Sequence, residues 1–531
     1  MVKLGPVLKF LGCENNSWNI SVMVVTDASD SPPSLIFSNK AIAAPIKLAD
    51  LNNTKAAVWR WECKISLKAA PQLVDYKVNG VNFTVQIPAQ NKMPTIAYAS
   101  CNGFSDPKLM KQVTIKNALW SRMSRLHNGE ETIRNRRFGP WNLLLMGGDQ
   151  VYSDAMWQIV PELKTWVALD WPQRAKRAFN QTMRTQVEAF FQNLYISRWS
   201  QPEVAAMLAS IPTLMMWDDH DIFDGWGSYP FEQHNCPVYQ GIFEVAKTYF
   251  QLFQQQSAAS PVPSPVPSPA PAILPNQTAF NQAYNLGDLG ILMLDMRSER
   301  APHTPNDAEG NFMPDQVMSE KSWNAVYKWL DAQTCKHLLV MSSIPVVHPT
   351  FGLLEKMLGF LPGQQGLEDD LRDHWTSAPH MQERLRMVHR LLRFSADKKC
   401  RVTLLSGDVH VAAVGVIESD RNDVPPNARV INQLTSSGIV HPAPPAMVRY
   451  FLEQACKNVE TIDRGVTAAM FEFPATTRRL IGARNFLTLE PDDKDRLWAN
   501  WWVENEADPT TKTIHPVQPK EKALEPSSTP K

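Results

Sequence analysis

Six short, almost wholly apolar runs limit most strongly what this chain can fold into: Thr95–Ser100, Asn142–Met146, Thr213–Trp217, Gly290–Leu294, His337–Met341 and Val402–Leu405. A strand with one wet face alternates apolar and polar side chains. These runs do not alternate, so both of their faces are expected to be buried, as in a sheet covered by helices. Amphipathic stretches at 174–208, 240–256 and 380–396 lie between them and can supply that cover. The pattern predicts an α/β or α+β layered domain over residues 93–505.

The first 92 residues have a different texture. Ile20–Thr26, Ala56–Trp61 and Asn82–Ile87 are β-branched or aromatic, roughly alternating, and separated by Asn, Asp, Pro and Ser. They predict an N-terminal antiparallel β-sandwich, joined to the larger domain through Pro88–Pro94. A Pro/Ser-rich insert at 257–275 carries a repeated Pro-Val-Pro-Ser unit, which favours extended polyproline conformation and leaves nothing to pack. Residues 506–531 are polar and rich in Lys, Pro and Thr, and are expected to be a disordered tail.

Charge narrows the function classes. Lys and Arg number 53 and Asp and Glu also 53, so the basic surplus needed by a general binder of nucleic acid or anionic membrane is missing. The seven cysteines are widely spaced and form no Cys-x-x-Cys pair, which speaks against a zinc knuckle, a thioredoxin-type centre or a disulfide scaffold. No apolar run is long enough to span a bilayer, and Met1–Pro6 does not open a secretory leader. The expectation is a cytoplasmic protein with no membrane span and no specific nucleic-acid partner.

Four of the apolar runs are each followed by potential metal ligands, and open α/β sheets gather their sites at the C-terminal ends of strands. Cys101 follows the first. The second leads into Gly147-Gly148-Asp149-Gln150-Val151-Tyr152-Ser153-Asp154, where two glycines allow a tight turn and Asp149 offers an acceptor-only carboxylate. The third leads into Asp218-Asp219-His220-Asp221-Ile222-Phe223-Asp224, a density of acid that is costly unless a cation compensates. After the last come Asp408 and His410, two apart and so on one face of an extended segment. Oxygen-rich donors with a few N and S atoms suit Fe, Mn, Ca or mixed pairs better than structural zinc. Two such cations can ionise a water between them and clamp an in-line displacement, which is the logic of phosphate-ester hydrolysis.

The succession of GGDQVYSD, WDDHDIFDGWGS, LDMRSER and LSGDVH, each after a strand, resembles the alkaline phosphatase D (PhoD-like) metallophosphatases. These are relatives of the purple acid phosphatases within the calcineurin-like metallophosphoesterases. The resemblance covers residues 95–445 and implies a four-layer α/β/β/α catalytic domain after the β-sandwich. It implies metal ligands at Cys101, Asp149, Tyr152, Asp219, Asp408 and His410, with Asp149 bridging and a Tyr152 phenolate favouring a ferric ion. The implied centre is dinuclear or polynuclear, Fe(III) with Ca(II), with Mn or another divalent ion as an alternative. His220 would assist the leaving group, and Arg297 could grip a phosphate oxygen or form a structural salt bridge. The substrate would be a small phosphate ester, cleaved by a phosphatase or phosphodiesterase through a metal-bridging hydroxide. His348 and, more weakly, His441 are further candidates after later strands. Two other readings stay open at this point: a non-catalytic binding protein with a structural metal site, and a dinuclear hydrolase of non-phosphate esters.

Overall fold

The computed structural model describes residues 1–258, 279–302, 315–349, 375, 380–422, 428–474 and 476–517. The Pro/Ser-rich insert falls almost entirely outside these. Two large sheets dominate. The first runs, edge to edge, Thr510–Ile514, Leu497–Val503, Asn485–Pro491, Ile96–Ala99, Leu143–Gly147, Thr213–Met216, Val2–Glu14, Ser17–Asp27, Ala56–Ser66, Ile46–Leu51. Ile96–Ala99, Leu143–Gly147, Thr213–Met216 and Val2–Glu14 are parallel neighbours. In the second sheet Leu289–Leu294, His337–Ser342, Arg401–Ser406 and Val430–Thr435 run parallel, with antiparallel strands on both flanks. All six apolar runs of the sequence are strands at the centres of these sheets.

The sheets pack face to face. One shared core holds Tyr98, Leu145 and Leu214 from the first and Ile291, Leu339 and Leu405 from the second. The outer face of each sheet is covered by helices in a separate core, which completes the four layers. Gln181–Trp199 shows how the sequence builds that cover. Met183, Val187, Phe191, Tyr195 and Trp199 recur every fourth residue, so they form one buried stripe, and Asn180 caps the first turn by accepting from the Met183 amide. Each such large side chain contributes about 1.5–3 kcal/mol on burial. The amphipathic stretch 174–208 is not continuous: Pro202 occupies the first position of a new helix, Pro202–Ser210, so the chain breaks before it.

The N-terminal sandwich forms, but its core is not separate. Its second leaf, built from Leu35–Phe37, Lys40–Ala41, Gln72–Val78 and Val81–Ile87, covers strands that extend the ten-stranded sheet. Leu8, Trp18, Val74 and Val85 belong to the same core as the inter-sheet residues. The join is the parallel pairing of Lys9 with Thr213, a contact between segments some two hundred residues apart that local patterning does not reveal. The C-terminal tail needs a correction. Thr510–Ile514 is ordered as an edge strand against Leu497–Val503, because its threonines suit a pleated surface and Lys512 protects an open edge. Residues beyond 517 lie outside the described part.

Candidate metal centre

The centre lies where parallel strands of both sheets end. Cys101, Asp149 and Asp218–Asp221 follow Ile96–Ala99, Leu143–Gly147 and Thr213–Met216 of the first sheet. Arg297, Ser343, Asp408–His410 and His441 follow Leu289–Leu294, His337–Ser342, Arg401–Ser406 and Val430–Thr435 of the second. Backbone hydrogen bonds lace these loops together. Cys101 N donates to Gly148 O at 3.2 Å and Asn102 N to Asp149 O at 2.8 Å, while His441 N donates to Cys101 O at 3.2 Å and so crosses between the sheets.

The turns are strained at the candidate ligand positions themselves. Cys101, Asp149, Asp408 and His410 all adopt left-handed backbone, with φ of 54°, 55°, 66° and 53°. Non-glycine residues rarely sit there, and such strain concentrates at functional sites. Gly148, at φ 111°, has a different reason to be glycine: a Cβ would come 2.8 Å from the Cβ of Asp218.

These turns bring one oxygen-rich cluster together. Asp149, Asp219 and His220 each offer a ligand atom within 4.8 Å of the others, as do Asp218, Asp219 and Asp408, so Asp219 is shared between two groups. The Tyr152 hydroxyl donates to Asp149 Oδ2 at 3.2 Å. The Cys101 thiol lies beside the Tyr152 phenol, 3.0 Å from Ser437 Oγ and 3.9 Å from the Asp408 carbonyl. Burial raises the pKa values of Cys101, Tyr152 and Asp149 well above their ordinary range. With only protein around them, these three groups would therefore hold their protons. Asp149 Oδ1, Asp219 Oδ1 and His410 Nδ1 are buried with no hydrogen-bond partner among the described residues. Acceptors left that way normally cost free energy, and a cation would satisfy all of them. The donor set thus fits a metal pair.

The imidazole of His220 is oriented by a residue outside the initial candidate set. Its Nδ1 is 2.8 Å from Asp154 Oδ2, and Asp154 Oδ1 accepts from the Asp224 amide at 2.9 Å. Burial opposes a charge on His220, but Asp154, Asp219 and Asp149 outweigh it and raise its pKa well above the usual value. Asp221 points away from the cluster and organises the loop, accepting from the amides of Gln150, Val151 and Asp218 and from Gln254 Nε2. Trp217, Phe223 and Trp226 pack into the helical core and anchor the loop from behind.

Arg297 is fully buried and committed. Its Nε meets Asp218 Oδ1 at 2.5 Å, its Nη1 donates to the Trp226 carbonyl at 2.8 Å, and its Nη2 lies 3.5 Å from Asp219 Oδ1. Of the two roles open to it, this is the geometry of the structural salt bridge. His348 lies apart, lining a small cleft with Glu460 and Met470. The residue after its strand that reaches the centre is Ser343, whose hydroxyl donates to Asp218 Oδ1 at 2.8 Å. His441, the weaker candidate, is at the heart of the site. Its ring stacks on His410 at 3.7 Å and on Tyr152 at 5.6 Å. Its signal in the sequence was its place after another strand of the parallel series.

Comparison with known proteins places the chain by family and by fold. A family profile described as PhoD-related phosphatase matches residues 130–362 and 351–468. An uncharacterized protein of Saccharomyces cerevisiae, YGR266W, is 25% identical over 551 residues, covering 85% of this chain and 75% of its own. The solved structure of PhoD superposes with a TM-score of 0.56 at 12% identity, covering 96% of this chain and 88% of its own, and so shares the fold.

Proposed function

Since this chain belongs to the family of PhoD-related phosphatases, we propose that it is a metal-dependent hydrolase of phosphate esters. The observation that carries the proposal is the carboxylate cluster centred on Asp219, with Asp149 close on one side, beside His220, and Asp218 and Asp408 close on the other. Cations bound there would lower the pKa of a water and polarise a phosphoryl oxygen. The Cys101 and Tyr152 side, with thiolate and phenolate donors, suits a ferric ion. The Asp218, Asp219 and Asp408 side, all carboxylate, suits a harder divalent ion such as Ca(II) or Mn(II).

The chain's own groups do the rest. His220, held at Nδ1 by Asp154, presents Nε2 as the proton donor to the departing alkoxide. Arg297 and Ser343 fix Asp218, and Arg297 also steadies Asp219, so the carboxylates stay aimed despite their mutual repulsion. Arg297 thereby acts as a positioning residue. The low-dielectric surroundings strengthen each of these interactions.

The test is turnover of p-nitrophenyl phosphate and bis-p-nitrophenyl phosphate with and without chelator, alongside elemental analysis of wild type and Asp149→Ala. The proposal expects Asp149→Ala to lose at least one metal and nearly all turnover. Full metal content and full activity in that variant would overturn it.

A further inference from the structure

Two serines that follow Val430–Thr435 close around the Cys101 sulfur. Ser437 Oγ lies 3.0 Å from Cys101 Sγ and accepts from the His410 amide at 2.9 Å. One hydroxyl thus ties a candidate ligand of the first sheet to the backbone of a candidate ligand of the second. Ser437 and Cys101 are both fully buried. The serine pair is itself fixed. Asn485 Nδ2 donates to the Ser437 carbonyl at 2.9 Å, and Asn485 Oδ1 accepts from Ser436 Oγ at 2.6 Å.

The direction of the contact follows from where the hydrogens can go. A sulfur that binds a metal does so as thiolate and has no hydrogen to give. Ser100 Oγ, 3.6 Å from the sulfur, already donates to the Ser436 carbonyl at 3.0 Å. The His410 amide takes a lone pair of Ser437 Oγ, and the sulfur is the one acceptor for the Ser437 hydroxyl hydrogen among the described residues.

We propose that Ser437 is a positioning residue of the metal centre: its hydroxyl, held by the His410 amide, donates to the Cys101 thiolate and sets how much charge that sulfur gives to a bound cation. This rests on the reading of the centre as that of a metal-dependent hydrolase with Cys101 as a ligand. A hydrogen bond to sulfur draws electron density away from the metal. It therefore raises the energy of the thiolate-to-metal charge-transfer transition and favours the lower oxidation state of a redox metal.

The test uses the full chain, stripped with chelator and loaded with cobalt(II), whose thiolate charge-transfer band reports sulfur ligation without turnover. Cys101→Ser should abolish the band and so identify its source. Ser437→Ala should move the band to longer wavelength and weaken cobalt retention about tenfold. Ser437→Thr, which keeps the hydroxyl, should return the band to its wild-type position. A merely structural Ser437 would lower cobalt content and leave the band where it is. An unmoved band in Ser437→Ala, or no thiolate band in wild type, overturns the assignment. Should Ser437→Ala fail to fold, wild type decides. Loading in heavy water should shift its metal–sulfur stretch in resonance Raman spectra, and an unshifted stretch overturns the assignment equally. Turnover of bis-p-nitrophenyl phosphate, followed in parallel, separates the two readings. A band that moves in a protein that hydrolyses no phosphate ester leaves Ser437 in its role and removes the phosphatase reading; turnover with an unmoved band does the reverse.

Discussion

His441 lies face to face with His410, their ring centroids 3.7 Å apart and their planes 17° from parallel. Tyr152 stacks on His441 and also on His220, so four rings run as one pile along the candidate ligands. Burial lowers the His441 pKa to about 4, so the ring is neutral at neutral pH. Nδ1 must then carry the proton, because it meets the Pro442 carbonyl at 2.9 Å, and Nε2 accepts from Ser105 Oγ at 3.2 Å. The ring holds its neighbours by shape. His441→Phe should keep most of the metal and turnover, whereas His441→Ala should weaken metal retention about tenfold, in line with losses of outer-sphere support. Metal content after dialysis against graded chelator checks both.

The contact between His220 and Asp154 separates two roles for the histidine. A ligand role predicts that His220→Ala loses metal. The proton-donor role predicts that it keeps metal but slows, most with poor leaving groups. Asp154→Asn keeps the shape but removes the charge that favours the imidazolium, so it should lower kcat about tenfold or more and leave metal content intact. A plot of rate against leaving-group pKa should steepen in both variants. A parallel shift for all leaving groups would count against proton donation.

The residues that announce the chemistry were legible because they sit next to signals of fold. Asp149, Asp219 and Asp408 each follow an apolar run of a type that becomes a central strand, and strand ends converge. What local sequence could not show is which partner each side chain chooses. Arg297 reads equally well as a phosphate clamp or a brace, and only the positions of Asp218 and Trp226 decide. His348 and His441 each follow a strand, yet the chain turns so that one enters the centre and the other a separate cleft. The first sheet hid its extent for the same reason. Val2–Glu14 joins it by pairing with Thr213–Met216 some two hundred residues on, and the C-terminal strands join it where Asn485–Pro491 pairs with Ile96–Ala99; pairing across such distances leaves no periodic trace.

Asp221 tests how far the loop depends on a residue outside the ligand set. Its carboxylate accepts from three backbone amides and one side chain, all buried. Asp221→Ala would strand those donors, and the expected loss is about 3 kcal/mol or more in urea unfolding. Asp221→Asn keeps one acceptor oxygen but turns an NH₂ group toward N–H donors, so its loss should fall between wild type and alanine. An alanine variant as stable as wild type would show that the loop is held from elsewhere.

The pH dependence of stability should carry the mark of Lys9. Its side chain is fully buried, with Nζ 3.2 Å from Gln255 Oε1 and 3.5 Å from Gln282 Oε1. Burial, with a smaller push from Arg60, lowers its pKa from 10.5 to about 7. Between those two values the unfolded chain binds a proton that the folded chain does not. Stability therefore climbs as pH rises through that window and is flat with respect to this group below it, at no more than about 1.4 kcal/mol per pH unit. Lys9→Met removes the titration while filling similar volume. It also strands the Gln255 carbonyl oxygen, at a cost of about 1 kcal/mol that does not vary with pH. Urea unfolding across neutral to alkaline pH should show a shallower rise in Lys9→Met than in wild type. Identical slopes would mean that the Lys9 amine keeps an ordinary pKa in the folded protein.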